Sequence, residues 1–293
     1  MLHSRRIGSF ELFQIAEFTG PTHDADFMLP GLAREAFEAN ASWLQPHYWL
    51  APTNRLVFTM QLFVLKARDR VIVIDTGVGN HKARRAGAQN MINTPMQDWL
   101  RAIGAAPERV THVVLTHLHG DHVGWNTVRV GERWEPFFPN ASYFLPRDDF
   151  AVFEQRYQQG DRDLFGAPFE DSILPLLSQS AIRFVAAGDE IADCLTARAA
   201  PGHTAGQLTY TLRTDDPRAF VFSADVLHSP IQVIYPQINS RWCELPDEAR
   251  RTRHALLAEA ARSESIVLPA HAGGLGGWMV TREGEGFAVR FDA

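Results

Sequence analysis

The chain has 293 residues, of which 45% are hydrophobic and 21% charged, and this balance is typical of a globular protein with a large core. The formal net charge is −6 and the basic residues are scattered, which argues against nucleic acid as a partner. There is no uninterrupted apolar run of about 18 residues and no secretory signal pattern. The cysteines are Cys194 and Cys243, so we expect a cytoplasmic protein with no membrane partner.

Short runs rich in β-branched and aromatic residues recur along the chain and predict strands, several of them buried on both faces. These runs cover residues 56–67, 70–77, 110–117, 141–147, 181–188, 195–202, 207–214, 219–226 and 265–271. Helical patterns lie between them at 94–104, 146–160, 170–180 and 245–263, with Pro175 expected to interrupt the third. Because strands and helices alternate without a long linker, we predict a single α/β domain over residues 1–293.

The segment from about residue 19 to 54 differs from the rest of the chain. It contains several prolines and large aromatic residues but little periodicity, which predicts an irregular N-terminal arm. Such an arm can be a lid, a substrate-binding loop or a contact in a homodimer, or it can simply cover part of the core. The residues alone leave these alternatives open.

The stretch VVLTHLHGDHVGWN, at residues 113–126, places His117, His119, Asp121 and His122 directly after an apolar strand. If the backbone stays extended, alternate side chains project to one side and can converge. Four ligands from six consecutive positions would strain the backbone around a single ion, so the pattern favours two neighbouring metal ions. A histidine-rich surface loop is the alternative, but neutral imidazoles have little reason to gather beside a buried strand.

Three later strand ends carry further ligand-type residues. His203 lies in RAAPGHTAGQ, Asp225 in VFSADVLH and His271 in IVLPAHAGG. Each residue taken alone is more often a strand-end cap or a satisfied core residue. Taken together with residues 117–122, they complete a set of metal ligands that chance does not easily supply.

This set, HxHxDH at 117–122 followed by His203, Asp225 and His271, resembles the metallo-β-lactamase superfamily. IDTG at 74–77 is similar to the early strand of that family that carries an aspartate, so the resemblance spans residues 75–271. It implies a four-layer αβ/βα sandwich, in which two mixed β-sheets face each other, helices flank them and the metals lie at one edge.

The resemblance also implies a role for each candidate ligand. It assigns to the first metal His117, His119 and His203, and to the second metal Asp121, His122 and His271, with Asp225 bridging both. Asp75 would orient the ligand loop through a hydrogen bond, unless it merely caps the turn TGVGN. The implied cofactors are two divalent ions, zinc by default, with manganese, iron or cobalt as alternatives.

The implied activity is hydrolysis by a hydroxide held between the two metals, with Asp121 relaying a proton to the leaving group and Asp225 completing the catalytic centre. The expected substrates are small molecules, namely lactones such as an N-acyl homoserine lactone, or aryl and carboxylic esters. Phosphotriester or β-lactam hydrolysis is the alternative, because the same hydroxide can attack phosphorus or a strained amide. A non-catalytic metal-binding scaffold is the remote alternative.

Residue identities distinguish the branches of the superfamily. His119 stands where flavodiiron oxidoreductases carry a carboxylate, and Asp225 stands where the commonest metallo-β-lactamases carry cysteine. Quorum-quenching lactonases often have tyrosine three positions after the bridging aspartate, whereas this chain has His228, which is similar to the methyl parathion hydrolase branch. His228 therefore either contacts substrate or a ligand, as a third catalytic candidate, or pairs with a backbone carbonyl.

The substrate pocket is expected to be built from apolar and aromatic residues of the arm and the loops, which would suit an acyl chain or an aryl group. The candidates are Phe27, Met28, Trp49, Trp125, His228 and Trp278, with Trp43, Phe138 and Phe150 as further possibilities. The alternative for each aromatic residue is ordinary core packing, which we consider the better interpretation for Trp125.

Overall fold

The computed structural model describes residues 2–85, 87–162, 166–178, 181–273 and 277–291. In chain order the strands are β1 (Leu2–Ile7), β2 (Phe10–Asp24), β3 (Trp49–Leu50), β4 (Arg55–Lys66), β5 (Val71–Ile74), β6 (His112–Val114), β7 (Thr127–Val130), β8 (Arg133–Pro136), β9 (Ser142–Pro146), β10 (Ala181–Val185), β11 (Glu190–Ile191), β12 (Leu195–Ala199), β13 (Leu208–Leu212), β14 (Phe220–Ala224), β15 (Ile266–Pro269), β16 (Trp278–Glu283) and β17 (Gly286–Phe291).

The α-helices are α1 (Ala25–Met28), α2 (Arg34–Ala39), α3 (Ala41–Leu44), α4 (Met96–Ala102), α5 (Arg147–Gln158), α6 (Gly166–Pro168), α7 (Leu174–Leu177), α8 (Ile231–Ile234) and α9 (Pro246–Ser263). A π-helical turn, Phe169–Ile173, joins α6 to α7, and short 3₁₀ turns cover Ala51–Thr53, Gly87–Gln89, Pro107–Arg109 and Gly124–Asn126. Within the described ranges, no helix has both the length and the apolar character needed to cross a bilayer.

The strands form two mixed sheets and a separate β7–β8 hairpin. The first sheet has the order β1-β2-β4-β5-β6-β9-β10, with β3 paired to β4, and its strands are parallel from β5 to β10. The second sheet runs β11 to β17 in sequence order, and its parallel pair is β14 with β15. The expectation of two mixed sheets is confirmed.

Alternate side chains of the central strands are buried on opposite faces of the first sheet. On β4, Phe63 and Leu65 face the second sheet, where the Phe63 ring meets Phe222 edge to face with 5.1 Å between ring centroids. Leu62 and Val64 belong instead to the core beneath α4, α5 and α7. Both faces are therefore apolar, as expected for a sheet that is covered on two sides.

A third core lies on the outer face of the second sheet. Leu257 and Ala260 of α9 pack there against Trp278 and Val280 of β16. Helices therefore cover the outer faces of both sheets, and the predicted αβ/βα sandwich is confirmed.

Helix α9 also fixes the loop that follows β14. The buried guanidinium of Arg253 donates from Nε to the carbonyl of Val226 at 2.9 Å and from Nη1 to the carbonyls of Pro236 and Ile238, both at 2.9 Å. These charge-assisted hydrogen bonds immobilise the segment that carries Asp225 and His228.

Each of the nine predicted strands overlaps an observed one, whereas the sequence interpretation missed β1, β2, β3, β7, β8, β11, β16 and β17. The expectation of an irregular arm at 19–54 is wrong at its start, because β2 continues to Asp24 along β4 despite register shifts at Ala16/Phe18 and Pro21/His23. The rest of that segment contains three short helices and β3.

The predicted third helix, at 170–180, is divided into the π-helical turn and α7. Pro175 lies in the first turn of α7, where its missing N–H is tolerated. Residues 179 and 180 of that prediction lie outside the described residues.

Candidate metal centre

The candidate ligands lie close together because the strands that precede them end side by side. Parallel β5 and β6 end beside each other, as do β14 and β15 in the facing sheet, and Asp75, His117, Asp225 and His271 follow these four strands. Asp75 and Ala224 adopt left-handed φ values of 52° and 48°, which turn the chain sharply at the end of each strand. The site therefore lies at one edge of the sandwich, between the two sheets.

A first group consists of three histidines. His119 Nδ1 lies 3.1 Å from His117 Nε2 and 2.8 Å from His203 Nε2. Burial holds the pKa of His117 and of His203 well below its usual range, so both imidazoles are neutral. Three imidazole nitrogens that converge in this way form an arrangement suited to a divalent cation.

A second group consists of Asp121, His122 and His271. Asp121 Oδ1 lies 3.9 Å from His122 Nε2, and Asp121 Oδ2 lies 3.7 Å from His271 Nε2. This group is also close enough to hold a metal ion, and it differs from the first by including a carboxylate.

Asp225 lies between the two groups and contacts both. Its Oδ2 is 3.1 Å from His203 Nε2 in the first group and 3.1 Å from His271 Nε2 in the second. Its Oδ1 is 3.3 Å from His122 Nε2. This position is the one that a carboxylate bridging two ions would require.

Electrostatics favour positive charge at the centre. Burial alone would raise the pKa of Asp225, but the surrounding imidazoles, His271 and His122 foremost, hold it well below its usual range. Burial alone would likewise lower the pKa of His122 and His271, but Asp225 raises both. The buried carboxylates thus require a compensating cation, which either protonated imidazoles or metal ions can provide.

The outer atoms of the imidazoles are held while the inner ones point to the centre. His122 Nδ1 lies 2.9 Å from Asp75 Oδ2, and His271 Nδ1 donates to the carbonyl of Thr59 at 3.1 Å. Asp75 also accepts from the backbone and the hydroxyl of Thr116, both at 2.8 Å. The buried atoms His122 Nε2 and Asp225 Oδ1 have no hydrogen bond to any described residue. The inward-facing imidazole nitrogens and carboxylate oxygens are therefore suited to bind two divalent ions.

His228 lines the cavity and also contacts the candidate ligands Asp225 and His271. Its Nε2 is 3.2 Å from Asp225 Oδ2 and 3.4 Å from Ser240 Oγ, and its ring stacks on His271 with 5.5 Å between centroids. With His203 and Asp225 it forms a further group that could hold a metal. The structure therefore brings His228 to the ligand set as well as to the cavity wall.

A cavity of about 650 Å³ opens over these residues. Its apolar wall begins at Phe58, whose ring centroid lies 5.2 Å from that of His271 and 5.4 Å from that of His23. It continues outward to Phe27 and Trp242, whose rings meet at 6.1 Å. We call His23, Phe27, Trp242 and the neighbouring Arg241 the rim.

The pocket prediction is partly wrong. Phe27 and His228 line the cavity, but Met28, Trp49 and Trp278 are buried in the core under α9. Trp125 packs on Phe137 instead, and so Trp125 is a core residue. Core packing also accounts for Trp43, Phe138 and Phe150.

The sequence interpretation missed the other wall residues. His23, Phe58, Arg241 and Trp242 come from three separate segments, and no local pattern links them. Their place at the cavity depends on tertiary contacts.

This arrangement is that of a candidate dinuclear metal centre at the edge of a four-layer sandwich. Residues 61–271 match the model of the metallo-beta-lactamase superfamily, and the chain belongs to this superfamily.

The relatives and the similar solved structures have low sequence identity to this chain. The N-acyl homoserine lactonase AiiB of Agrobacterium fabrum is 23% identical over 134 residues, which cover 42% of this chain and 45% of that protein. The N-acyl homoserine lactonase of Bacillus cereus is 21% identical over 193 residues, covering 61% of this chain and 68% of that protein. The chain thus spans about half the length of the first of these relatives.

Two solved structures share the fold over the whole chain. AidC, a dizinc quorum-quenching lactonase, has a TM-score of 0.80 at 18% identity, covering 100% of this chain and 97% of its own. The hydrolase AbOPH of the beta lactamase superfamily has a TM-score of 0.81 at 18% identity with the same coverage. These similarities establish the four-layer fold.

Proposed function

We propose that the protein is a dinuclear metal-dependent hydrolase of lactones or of aryl and carboxylic esters. The observation that carries the proposal is the convergence of two ligand groups on Asp225 at the floor of a cavity of about 650 Å³. The names of the relatives, which are N-acyl homoserine lactonases, support a lactone as the substrate class.

Seven side chains would hold the metals, for which we propose zinc because imidazole and carboxylate ligands suit it. The first ion would be held by His117, His119 and His203, the second by Asp121, His122 and His271, and both by Asp225. When bound, such ions acidify water to near neutral pH and polarise a carbonyl oxygen. Asp75 would keep His122 oriented through the contact at 2.9 Å.

The chain's own residues would handle the proton and the substrate. Asp121 lies at the cavity, and its Oδ2 accepts a hydrogen bond from Gln89 Nε2 at 3.1 Å, which leaves its other oxygen available to carry a proton to the leaving alcohol. His228 presents its ring to the cavity beside Asp225 and would donate a hydrogen bond to the substrate. Phe58 would exclude water from the floor.

The test is metal content together with hydrolysis. Purified protein should bind two divalent ions per chain and open lactones or cleave aryl esters, and a chelator should abolish both until zinc is restored. His254→Ala, a change at an exposed histidine on α9, is the matched control and should retain both properties. Hydrolysis that survives chelation, or a protein that binds less than one ion, would refute the proposal.

Phosphotriester hydrolysis is a second candidate, favoured by His228 in place of tyrosine and by an aromatic rim suited to an aryl leaving group. Comparison of kcat/KM for matched p-nitrophenyl carboxylate and phosphotriester substrates separates the two.

We also propose that residues 1–293 act as one domain in a reducing compartment such as the cytoplasm. The core between the sheets takes side chains from both halves of the chain, and Cys194 and Cys243 are free thiols, which supports this proposal.

A further inference from the structure

Two buried carboxylates lie outside the candidate ligand set but hold the loops that carry it. Glu17 belongs to β2 and Asp149 to the first turn of α5, and both side chains are almost completely buried. Each accepts hydrogen bonds from two separate loops: Asp149 from backbone N–H groups of both, and Glu17 from backbone N–H groups of one and an indole N–H of the other. A carboxylate placed in this way is costly to bury unless it is fully bonded, so its position is informative.

Glu17 binds the loops on one side of the site. It lies at the register shift between Ala16 and Phe18, where β2 bulges away from β4. Its Oε2 accepts from the backbone of Val78 at 2.6 Å, and its Oε1 accepts from the backbone of Gly79 at 3.2 Å and from the indole of Trp125 at 2.7 Å. Burial raises its pKa to about 7, although these three donors oppose the rise.

The loops that Glu17 joins carry one member of the second ligand group and its hydrogen-bond partner. Residues 75–79 contain Asp75, and residues 122–126 contain His122. The two loops also bond to each other, because Thr76 N donates to the carbonyl of His122 and Gly124 N donates to the carbonyl of Gly77, both at 2.7 Å. Glu17 therefore fixes the pair of loops in which Asp75 meets His122.

Asp149 binds the loops on the other side. Its Oδ2 accepts from the backbone of Leu118 at 2.9 Å, and its Oδ1 accepts from the backbone of Gly206 at 3.1 Å. Leu118 lies between His117 and His119, and Gly206 is three residues after His203. Asp149 therefore joins the two loops that supply the first ligand group.

A glycine lies against each of these two residues. A Cβ at Gly77 would lie 2.5 Å from Glu17 Oε2, and a Cβ at Gly206 would lie 2.1 Å from the backbone nitrogen of Asp149. A larger residue at either position would force the Glu17 carboxylate or the Asp149 backbone to shift. The close approach at both places is thus specified by the sequence.

We propose that Asp149 and Glu17 are positioning residues for different metals: Asp149 for the ion held by His117, His119 and His203, and Glu17 for the ion held by Asp121, His122 and His271. This inference rests on the proposed dinuclear centre. The mechanism is preorganisation, because ligands on loops that are already fixed lose less conformational freedom when an ion binds. An amide in place of either carboxylate would turn a donor towards backbone N–H groups and release the loops.

The test isolates one ion at a time. His271→Ala weakens the second group and leaves the first, whereas His203→Ala does the reverse. In each background, the dissociation constant for zinc is measured by competition with a chromophoric chelator. In the His271→Ala protein, Asp149→Asn should weaken zinc binding about 10- to 100-fold, the range for partners of metal ligands, and Glu17→Gln should leave it unchanged. In the His203→Ala protein, Glu17→Gln should weaken zinc binding by the same range and Asp149→Asn should leave it unchanged.

The controls separate positioning from general destabilisation. Asp189→Asn alters an exposed carboxylate that accepts from the backbone of Ala186 at 2.9 Å, and it should change neither constant. Glu17→Asp and Asp149→Ser serve as second variants if an amide variant does not fold, and thermal unfolding of the metal-free proteins reports their stability. Equal effects of both changes in both backgrounds, or none, would overturn the inference. A wild-type protein that binds no metal would instead overturn the proposed function.

Discussion

The floor and the rim of the cavity are built in different ways. On the floor, the ligand atoms within each candidate group of three lie within 4.8 Å of one another, and their side chains are mostly buried. On the rim, Phe27 is 42% exposed and meets Trp242 through ring contacts, with Arg241 placed over the Phe27 ring at 4.4 Å. The floor is thus fixed by both sheets, whereas the rim depends on a few surface contacts. Changes on the floor should affect every substrate, and changes on the rim should discriminate between substrates.

The largest effect is expected at Asp225, which contacts both ligand groups. Asp225→Ala removes the shared carboxylate, so kcat/KM should fall for all substrates by more than the roughly 100-fold that loss of an outer partner of a ligand costs. Steady-state kinetics and metal analysis of the same preparation measure this effect. Asp189→Asn, at an exposed turn, is the matched control; an Asp225→Ala protein that keeps two ions and full activity would contradict the account of the floor.

Removal of the metals should have the next largest effect, on stability. An ion that binds only the folded state adds about 4 kcal/mol to the free energy of unfolding when its free concentration is about 1,000 times its dissociation constant. For a chain of this size that corresponds to a fall of roughly 10 °C in Tm when a chelator is added. Calorimetry with and without chelator checks it, and zinc should restore the original Tm. An unchanged Tm would mean that the floor is organised by its own ion pairs alone.

The difference between floor and rim also explains how much the sequence could predict. The convergence of the candidate ligands was predictable because each is a metal-binding residue type near the end of an apolar run, and the sandwich brings those ends together. Trp49 and Trp278 were expected in the pocket and lie in the core, because a large apolar side chain suits either place and tertiary packing decides. His23 and Trp242 meet across more than 200 residues of chain, which no local pattern can show.

Strand β2 was missed for a similar reason. Its second half contains Gly20 and Pro21, residues that usually end strands, yet it continues because β4 offers a long partner and the register shifts accommodate the irregularity. The helices and central strands followed their periodicity because burial on one or both faces dictates it.

A smaller and selective effect is expected on the rim. Trp242→Ala removes one large ring of the outer wall, so KM for an aryl or long-chain acyl substrate should rise about tenfold, equivalent to roughly 1.4 kcal/mol, while kcat changes little. A short acetyl ester, which does not reach the rim, should be hydrolysed as before. Trp43→Ala is the control, since Trp43 packs on Phe291 away from the cavity. Loss of activity that is equal for short and long substrates would show that Trp242 supports the floor.

The smallest effect is expected at Arg241, which holds the rim in place. Its Nε donates to the carbonyl of Phe27 at 3.0 Å, and its guanidinium lies over the same ring at 4.4 Å. An exposed cation–π contact is worth about 0.5–1 kcal/mol, so Arg241→Met should raise KM for the aryl substrate about two- to fivefold. Arg162→Met is the matched control, because Arg162 lies over the Tyr157 ring outside the cavity lining. An equal rise in KM for the acetyl ester would show that the rim and the floor are coupled. Changes on the rim would then not discriminate between substrates.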